Sequence, residues 1–295
     1  MSDNAVTPEF LSRMPLPQPA EDGDKDHRGR VLVIAGGVSV PGAALLAATA
    51  ALRAGAGKLQ IATCQSIATH LGLAVPEALV IGLPETSSGE IDPSAAILLR
   101  ERIARCDAVL IGPGMLDIEA AAALTADLLA CDPGSAFVLD AGALGRLKDN
   151  AAVLARHKAR TVITPHTGEM AGLLGIDKYE VLARPAEIAS ETASLLNCVV
   201  ALKGSCTYIA APGEGIWTYR DGNVGLATSG SGDTLAGIIA GLLARGIAPL
   251  QAAQWGIYLH GEAGNRLART CGPLGFLARE LLAEIPRIMA GLKHG

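Results

Sequence analysis

One carboxylate stands in a turn built almost wholly of small residues. Leu226 to Gly237 reads Leu-Ala-Thr-Ser-Gly-Ser-Gly-Asp-Thr-Leu-Ala-Gly and runs into the apolar segment Ile238 to Ala244. Glycines let a backbone turn sharply and come close to a ligand. The first amides of the helix that follows have no partners within it and sit at its positive dipole end, where phosphate binds. Asp233 would repel that phosphate unless it takes a proton from a substrate hydroxyl. The plainer alternative is an N-cap in an ordinary Gly-rich turn, and the stretch alone leaves both open.

Other segments place chemistry at the ends of strand-like runs. Lys203-Gly204-Ser205-Cys206-Thr207 follows Cys198 to Leu202; its lysine and amides could hold nucleotide phosphates, although most such lysines are merely solvated. Thr164-Pro165-His166-Thr167-Gly168-Glu169 closes the run from Thr161, and Asp140 closes Ala136 to Leu139. Asp140 at a strand end could hold a metal through water, orient substrate or cap a helix. Gly112-Pro113-Gly114 ends Cys106 to Ile111, and Pro41-Gly42-Ala43-Ala44 opens a helix-like segment. Carboxyl ends of strands are where open α/β sheets bind ligands.

The elements behind these residues follow from the apolar pattern. Val31 to Ala35 is a continuous aliphatic run, as expected of a strand covered on both faces. A helix from Gly42 to Ala54 and a strand from Lys58 to Thr63 complete a β-α-β unit, which predicts parallel strands with a right-handed crossover. Further strands are expected near 78–83, 106–111, 136–140, 161–164, 198–202 and 208–210. Helices are expected near 93–104, 118–129, 186–196, 234–244, 250–268 and 277–289, with another opening at Met170. Trp217 and Tyr219 on alternate positions, with Gly213 and Asp221-Gly222-Asn223 nearby, predict an antiparallel hairpin. Residues 1–28, polar and proline-spotted, are expected to be a loosely structured N-terminal arm that packs on a neighbour. Residues 29–295 are read as a single domain with one ligand-binding rim.

Composition narrows the function classes. In 295 residues, 24 Lys and Arg face 29 Asp and Glu, and only 3% are aromatic, so a nucleic-acid partner is not expected. With 50% hydrophobic residues, the core must be built from Ala, Val, Leu and Ile. No apolar stretch reaches the roughly 18 residues of a spanning helix, and the acidic N-terminus does not resemble a signal peptide. The six cysteines show no metal-ligand spacing, which suggests reduced thiols in a cytoplasmic protein.

Taken together and in order, the motifs resemble the ADP-dependent NAD(P)H-hydrate dehydratases, a branch of the ribokinase-like superfamily. They are His27-Arg28-Gly29, Pro41 to Ala44, Gly55-Ala56-Gly57-Lys58, Gly112-Pro113-Gly114, Asp140-Ala141-Gly142-Ala143-Leu144, Thr164 to Glu169, Lys203-Gly204 and Gly230-Ser231-Gly232-Asp233. The resemblance covers residues 27 to 290 and implies a three-layer αβα sandwich with a mostly parallel sheet and an antiparallel edge hairpin. It implies that an adenine nucleotide, ADP or ATP, phosphorylates the ring hydroxyl of the S-hydrate, after which phosphate loss restores NADH or NADPH. Asp233 would then be the base. Lys203, Gly204, Ser205, Cys206, Thr207, Gly230, Ser231 and Gly232 would hold the adenine nucleotide and its phosphates. Gly42, Ala43, Gly114, Asp140, His166 and Glu169 would hold the hydrated dinucleotide, and Mg²⁺ would bridge phosphates without a dedicated protein site.

Ser229 stands where the family often has glycine, Thr167 where it often has proline, and His27 to Arg30 shortens the family's first loop. Fewer than 30 residues precede the first strand, so the epimerase found fused to many relatives is expected on a separate chain. The branch's usual homotetramer is expected here too. The rival readings are a small-molecule kinase of the same superfamily, acting on a thiazole or pyrimidine alcohol, and a nucleotide sensor without catalysis.

Overall fold

The computed structural model describes residues 4–18, 25, 27–131 and 134–292. Residues 1–3, 19–24 and 26 of the expected arm therefore lie outside the described residues.

Ten strands form one sheet. They are β1 (Asn4–Ala5), β2 (Arg30–Ile34), β3 (Lys58–Cys64), β4 (Ala78–Leu83), β5 (Ala108–Ile111), β6 (Ala136–Leu139), β7 (Thr161–Ile163), β8 (Val199–Leu202), β9 (Thr207–Ala210) and β10 (Ile216–Tyr219). Their order across the sheet is β1-β10-β9-β8-β7-β6-β5-β2-β3-β4. The strands from β4 to β8 are parallel, while β8, β9 and β10 run antiparallel. The expected hairpin is thus β9–β10, turning through Gly213 at φ 73°, and the β2–β3 pair is parallel as its β-α-β pattern implied.

The helices are α1 (Pro8–Ser12), α2 (Pro41–Arg53), α3 (Gln65–Ala74), α4 (Ala96–Ile103), α5 (Ile118–Ala130) and α6 (Ala151–Arg156), followed by α7 (Thr167–Leu174), α8 (Lys178–Ala183), α9 (Pro185–Leu196), α10 (Ser231–Ala244), α11 (Pro249–Thr270) and α12 (Ala278–Gly291). They cover both faces. One core joins β-strand residues such as Val31 and Val33 to α2, α10, α11 and α12, and the other joins Leu32 and Ile34 to α4, α5, α7 and α9. Successive residues of β2 feed opposite cores because side chains alternate across a sheet, which explains its unbroken apolar run.

Small residues set the position of the site. Helix α10 runs against α2 so closely that a Cβ on Gly237 or Gly241 would meet the carbonyl oxygen of Ala47 or Ala51. That approach places the start of α10 beside the start of α2, at the carboxyl ends of the strands.

The arm departs from expectation. Residues 4–18 pack on the chain's own sheet: β1 pairs with β10 beyond the hairpin, and Val6 and Leu11 are wholly buried in the α10–α12 core. The indole of Trp255 donates to the Met14 carbonyl at 3.0 Å, and Arg245 donates to the Pro17 carbonyl at 2.7 Å. Polar spacing hid a few well-placed apolar residues, whose burial offsets the entropy of fixing the segment.

Candidate functional site

Because β2 and β5 to β8 are parallel, their carboxyl ends share one edge of the sheet. The chain leaves β2 toward β3 on one side and β5 toward β6 on the other, a switch point at which ligands of open α/β sheets bind, and the loops after the two strands are tied together there by Gly36 N–H donating to the Pro113 carbonyl at 2.8 Å and Gly37 N–H to the Gly114 carbonyl at 3.0 Å. Gly114, at φ 71°, sits so close to α2 that an added Cβ would lie 2.7 Å from that of Ala43. Gly42 faces open space there. The three residues expected to touch the dinucleotide at this end, Gly42, Ala43 and Gly114, are therefore brought together.

At the other end of the edge, a cavity of about 730 Å³ opens beside β8 and the β9–β10 hairpin. His166, Lys203, Gly204, Ser205, Thr207, Ser231 and Gly232 help to line it. Two expected nucleotide residues do not. Gly230 packs against Leu46, and the thiol of Cys206 is engaged beside the Thr207 carbonyl and Tyr208. A second cavity of about 840 Å³ between the arm and α12 shares no lining residue with this one.

Asp233 follows Gly232 of the 730 Å³ cavity's lining and has Asp140, Lys203 and Glu169 as its charged neighbours. Helix α10 starts at Ser231, three residues before the expected Thr234, because Gly230 takes the left-handed conformation (φ 85°) and serves as N-cap without a side chain. Asp233 is consequently in the first helical turn. Ser231 N–H donates to the Thr228 carbonyl and Thr234 N–H to Gly230, leaving the amides of Gly232 and Asp233 without partners among the described residues. These are the unsatisfied donors of a helix start, aimed at the strand ends. The Asp233 carboxylate accepts no hydrogen bond among the described residues. Burial, followed by the charge of Asp140, pushes its pKa from 3.8 up to about 6, although Lys203 pulls the other way.

Lys203 is the cationic centre of the edge. Its Nζ donates to Asp140 Oδ1 at 2.9 Å and lies 3.9 Å from Glu169 Oε2. Burial acts to lower its pKa, but Asp140, Glu169 and Asp233 together raise it above the usual lysine value. Asp140 is only 2% exposed and also accepts from the Thr164 hydroxyl at 2.8 Å. The backbone that presents it is unusual: Ala141 has φ 48°, a left-handed conformation that costs a non-glycine residue free energy and gathers at functional sites.

His166 and Glu169 form a reciprocal cap. His166 Nδ1 accepts from the amides of Gly168 and Glu169, and Glu169 Oε2 accepts from His166 N–H at 2.8 Å. Helix α7 therefore begins at Thr167 rather than at the expected Met170. His166 Nε2 lies 3.5 Å from Glu169 Oε1, and a backbone bridge ties His166 to Lys203.

Two residues of this edge escaped the sequence reading. His260 on α11 lines the nucleotide-sized cavity and makes a 2.8 Å hydrogen bond to Ser231 Oγ. Burial, with Lys203 next, lowers its pKa to about 4, so it is neutral at neutral pH. Only the following Gly261, whose missing side chain makes room for the Tyr219 ring, hinted that this turn of α11 faces something other than core. Glu90, 5% exposed, accepts from Leu116 N–H at 3.1 Å and stands against Gly37, joining the loops that follow β2 and β5. It sits in a polar loop without periodicity and gave no signal.

Known proteins match this arrangement along its length. The family profile described as NAD(P)H-hydrate dehydratase matches residues 31–287. The ADP-dependent (S)-NAD(P)H-hydrate dehydratase of Xanthomonas campestris is 49% identical over 294 residues, covering 98% of this chain and 97% of that one. The bifunctional NAD(P)H-hydrate repair enzyme of Moorella thermoacetica is 40% identical, and this chain spans 53% of its length. Among solved structures, the ADP/ATP-dependent NAD(P)H-hydrate dehydratase of Bacillus subtilis, co-crystallized with ATP and Mg²⁺, superposes with a TM-score of 0.82 at 30% identity, covering 99% of both chains. A hydroxyethylthiazole kinase from Pyrococcus horikoshii shares the fold, with a TM-score of 0.61 at 20% identity over 91% of both chains.

Proposed function

The chain belongs to the NAD(P)H-hydrate dehydratase family, and from that premise we propose how its residues carry out ADP-dependent restoration of NADH or NADPH from the S-hydrate. The adenine nucleotide occupies the cavity beside β8 to β10, with its phosphates toward Lys203, Gly204, Ser205, Thr207 and Ser231. The hydrated dinucleotide lies across the carboxyl ends of β2 and β5 against Gly42, Ala43 and Gly114, its ring reaching toward Asp140, His166 and Glu169. The ring hydroxyl then meets Asp233 on one side and the terminal phosphoryl group on the other.

Asp233 takes the hydroxyl proton, and the amides of Gly232 and Asp233 hold the phosphoryl group as charge builds on it. A carboxylate with a pKa near 6 is ionised at neutral pH yet basic enough to accept that proton. Loss of phosphate from the ring then regenerates the reduced nicotinamide. The observation that carries this reading is the unpartnered carboxylate of Asp233 beside two unpartnered helix-start amides, at the mouth of a nucleotide-sized cavity.

Mg²⁺ is the expected companion of the nucleotide. Among the described residues no group of three His, Cys, Asp or Glu side chains is placed to hold a metal ion. The ion would be held by phosphate oxygens and waters, and its contribution would be charge neutralisation on the phosphates. Among the described residues no helix is long and apolar enough to cross a membrane. We assign the protein to the cytoplasm, as a homotetramer, with a separate epimerase supplying the S-hydrate from its epimer.

Asp233→Asn tests the assignment. Turnover should fall by about 10²–10⁴-fold while ADP affinity stays within about tenfold, since the base acts in the transition state. Full activity in this variant removes Asp233 from the role of base.

A further inference from the structure

Restoring the dihydronicotinamide takes two proton removals, whereas a kinase needs only one. In the first, the hydroxyl proton passes to Asp233 as the phosphoryl group leaves ADP and joins the ring oxygen, giving AMP. The C6–O bond then breaks, phosphate departs with the bonding pair, and the ring nitrogen's lone pair forms an iminium with C6. In the second removal a proton leaves C5, and its electrons become the C5=C6 double bond. Asp233 already holds the first proton at that stage. We propose that Asp140, through Oδ2, is the base for the second proton; the inference rests on the dehydratase reading above.

The two oxygens of Asp140 are differently engaged. Oδ1 accepts both from Thr164 Oγ1 at 2.8 Å and from Lys203 Nζ at 2.9 Å. Among the described residues Oδ2 accepts no hydrogen bond, and it is not among the solvent-sealed polar atoms that lack a partner, so it keeps contact with solvent. A Cβ added to Gly232 would lie 3.9 Å from Oδ2 and 3.3 Å from Lys203 Nζ, which sets this oxygen facing the phosphoryl turn, beside Asp233. The left-handed Ala141 next to it and the buried Thr164 behind it fix the carboxylate in place. With Asp233 protonated at that stage, the two carboxylates of Asp140 and Glu169 around a single ammonium still favour a cationic ring over a neutral one. A C–H bond beside an iminium is acidic enough for an ion-paired carboxylate to serve as its base.

The experiment follows two products. With Asp140→Asn, hydrate and ADP, phosphate is still released, but the iminium is recaptured by water instead of losing its C5 proton. Restoration of NADH should fall by about 10²-fold, and phosphate released per NADH should rise at least about tenfold over the unsubstituted enzyme. An unchanged ratio of phosphate to NADH overturns the assignment, whether both rates hold or both fall. The unsubstituted enzyme gives an independent arm that needs no variant to fold: S-hydrate carrying deuterium on one C5 face, prepared in both configurations. A fixed base strips the label from one configuration and leaves it in the other; partial loss from both overturns the proposal. Absence of any ADP-dependent restoration by the unsubstituted enzyme would instead count against the dehydratase reading itself.

Discussion

Replacing Asp233 by Asn should stabilise the protein while disabling it. The native site holds this carboxyl at a pKa of about 6, against 3.8 for an ordinary aspartate. The difference of about 2 units corresponds to roughly 3 kcal/mol, an upper bound because solvent reaches the site. The folded state therefore binds this proton more tightly than the unfolded chain. Below about pH 4 both states are protonated and Asp233 costs nothing. The cost grows as pH rises toward 6 and is complete above it. Asparagine removes the charge at every pH, so the variant should gain about 1–3 kcal/mol at pH 8, seen as a rise in Tm of roughly 2–5 °C, and the gain should shrink toward zero near pH 4. Calorimetry of both proteins at the two pH values measures it. An equal gain at both pH values, or a loss at pH 8, would refute the claim that the site holds Asp233 against its own solvation.

Two further substitutions address neighbouring claims. Gly232→Val would direct its side chain toward Lys203 Nζ and Asp140 Oδ2, into the phosphate path, and should weaken ADP binding by more than about tenfold in titration calorimetry; unchanged affinity would make the turn merely structural. Leu11→Ala removes a wholly buried side chain of the arm and should cost about 2–5 kcal/mol in chemical denaturation, whereas an arm held loosely would tolerate the change.

The rim was legible because each strand end pairs an aliphatic run with a residue that packing does not require: Gly114, Asp140, His166, Lys203. Their convergence is a consequence of parallel strands sharing one carboxyl edge, which the β-α-β pattern already implied. Short polar helices were not legible. Helix α8, Lys178–Ala183, is six residues long and buries only Val181 while Tyr179 and Leu182 stay exposed, so it has no apolar stripe to read. The arm was misjudged for a related reason: Val6, Leu11 and Leu16 are separated by polar residues and prolines, and only the tertiary fold shows that all three meet one core. His260 belongs to the site through its contact with Ser231, a residue 29 positions earlier in the chain. No local pattern encodes such a meeting. The early start of α10 matters most, since it moves Asp233 from just before the helix into its first turn, beside the free amides.

The central claim is that this site uses a nucleoside diphosphate to dehydrate a hydrated nicotinamide. Incubating the protein with S-NADH hydrate, ADP and Mg²⁺ while following absorbance of the dihydronicotinamide ring tests it directly. The account predicts absorbance recovered in step with ADP converted to AMP and phosphate; a hydrate left unrestored, or one converted to a stable phosphate ester as a kinase would leave it, contradicts the account.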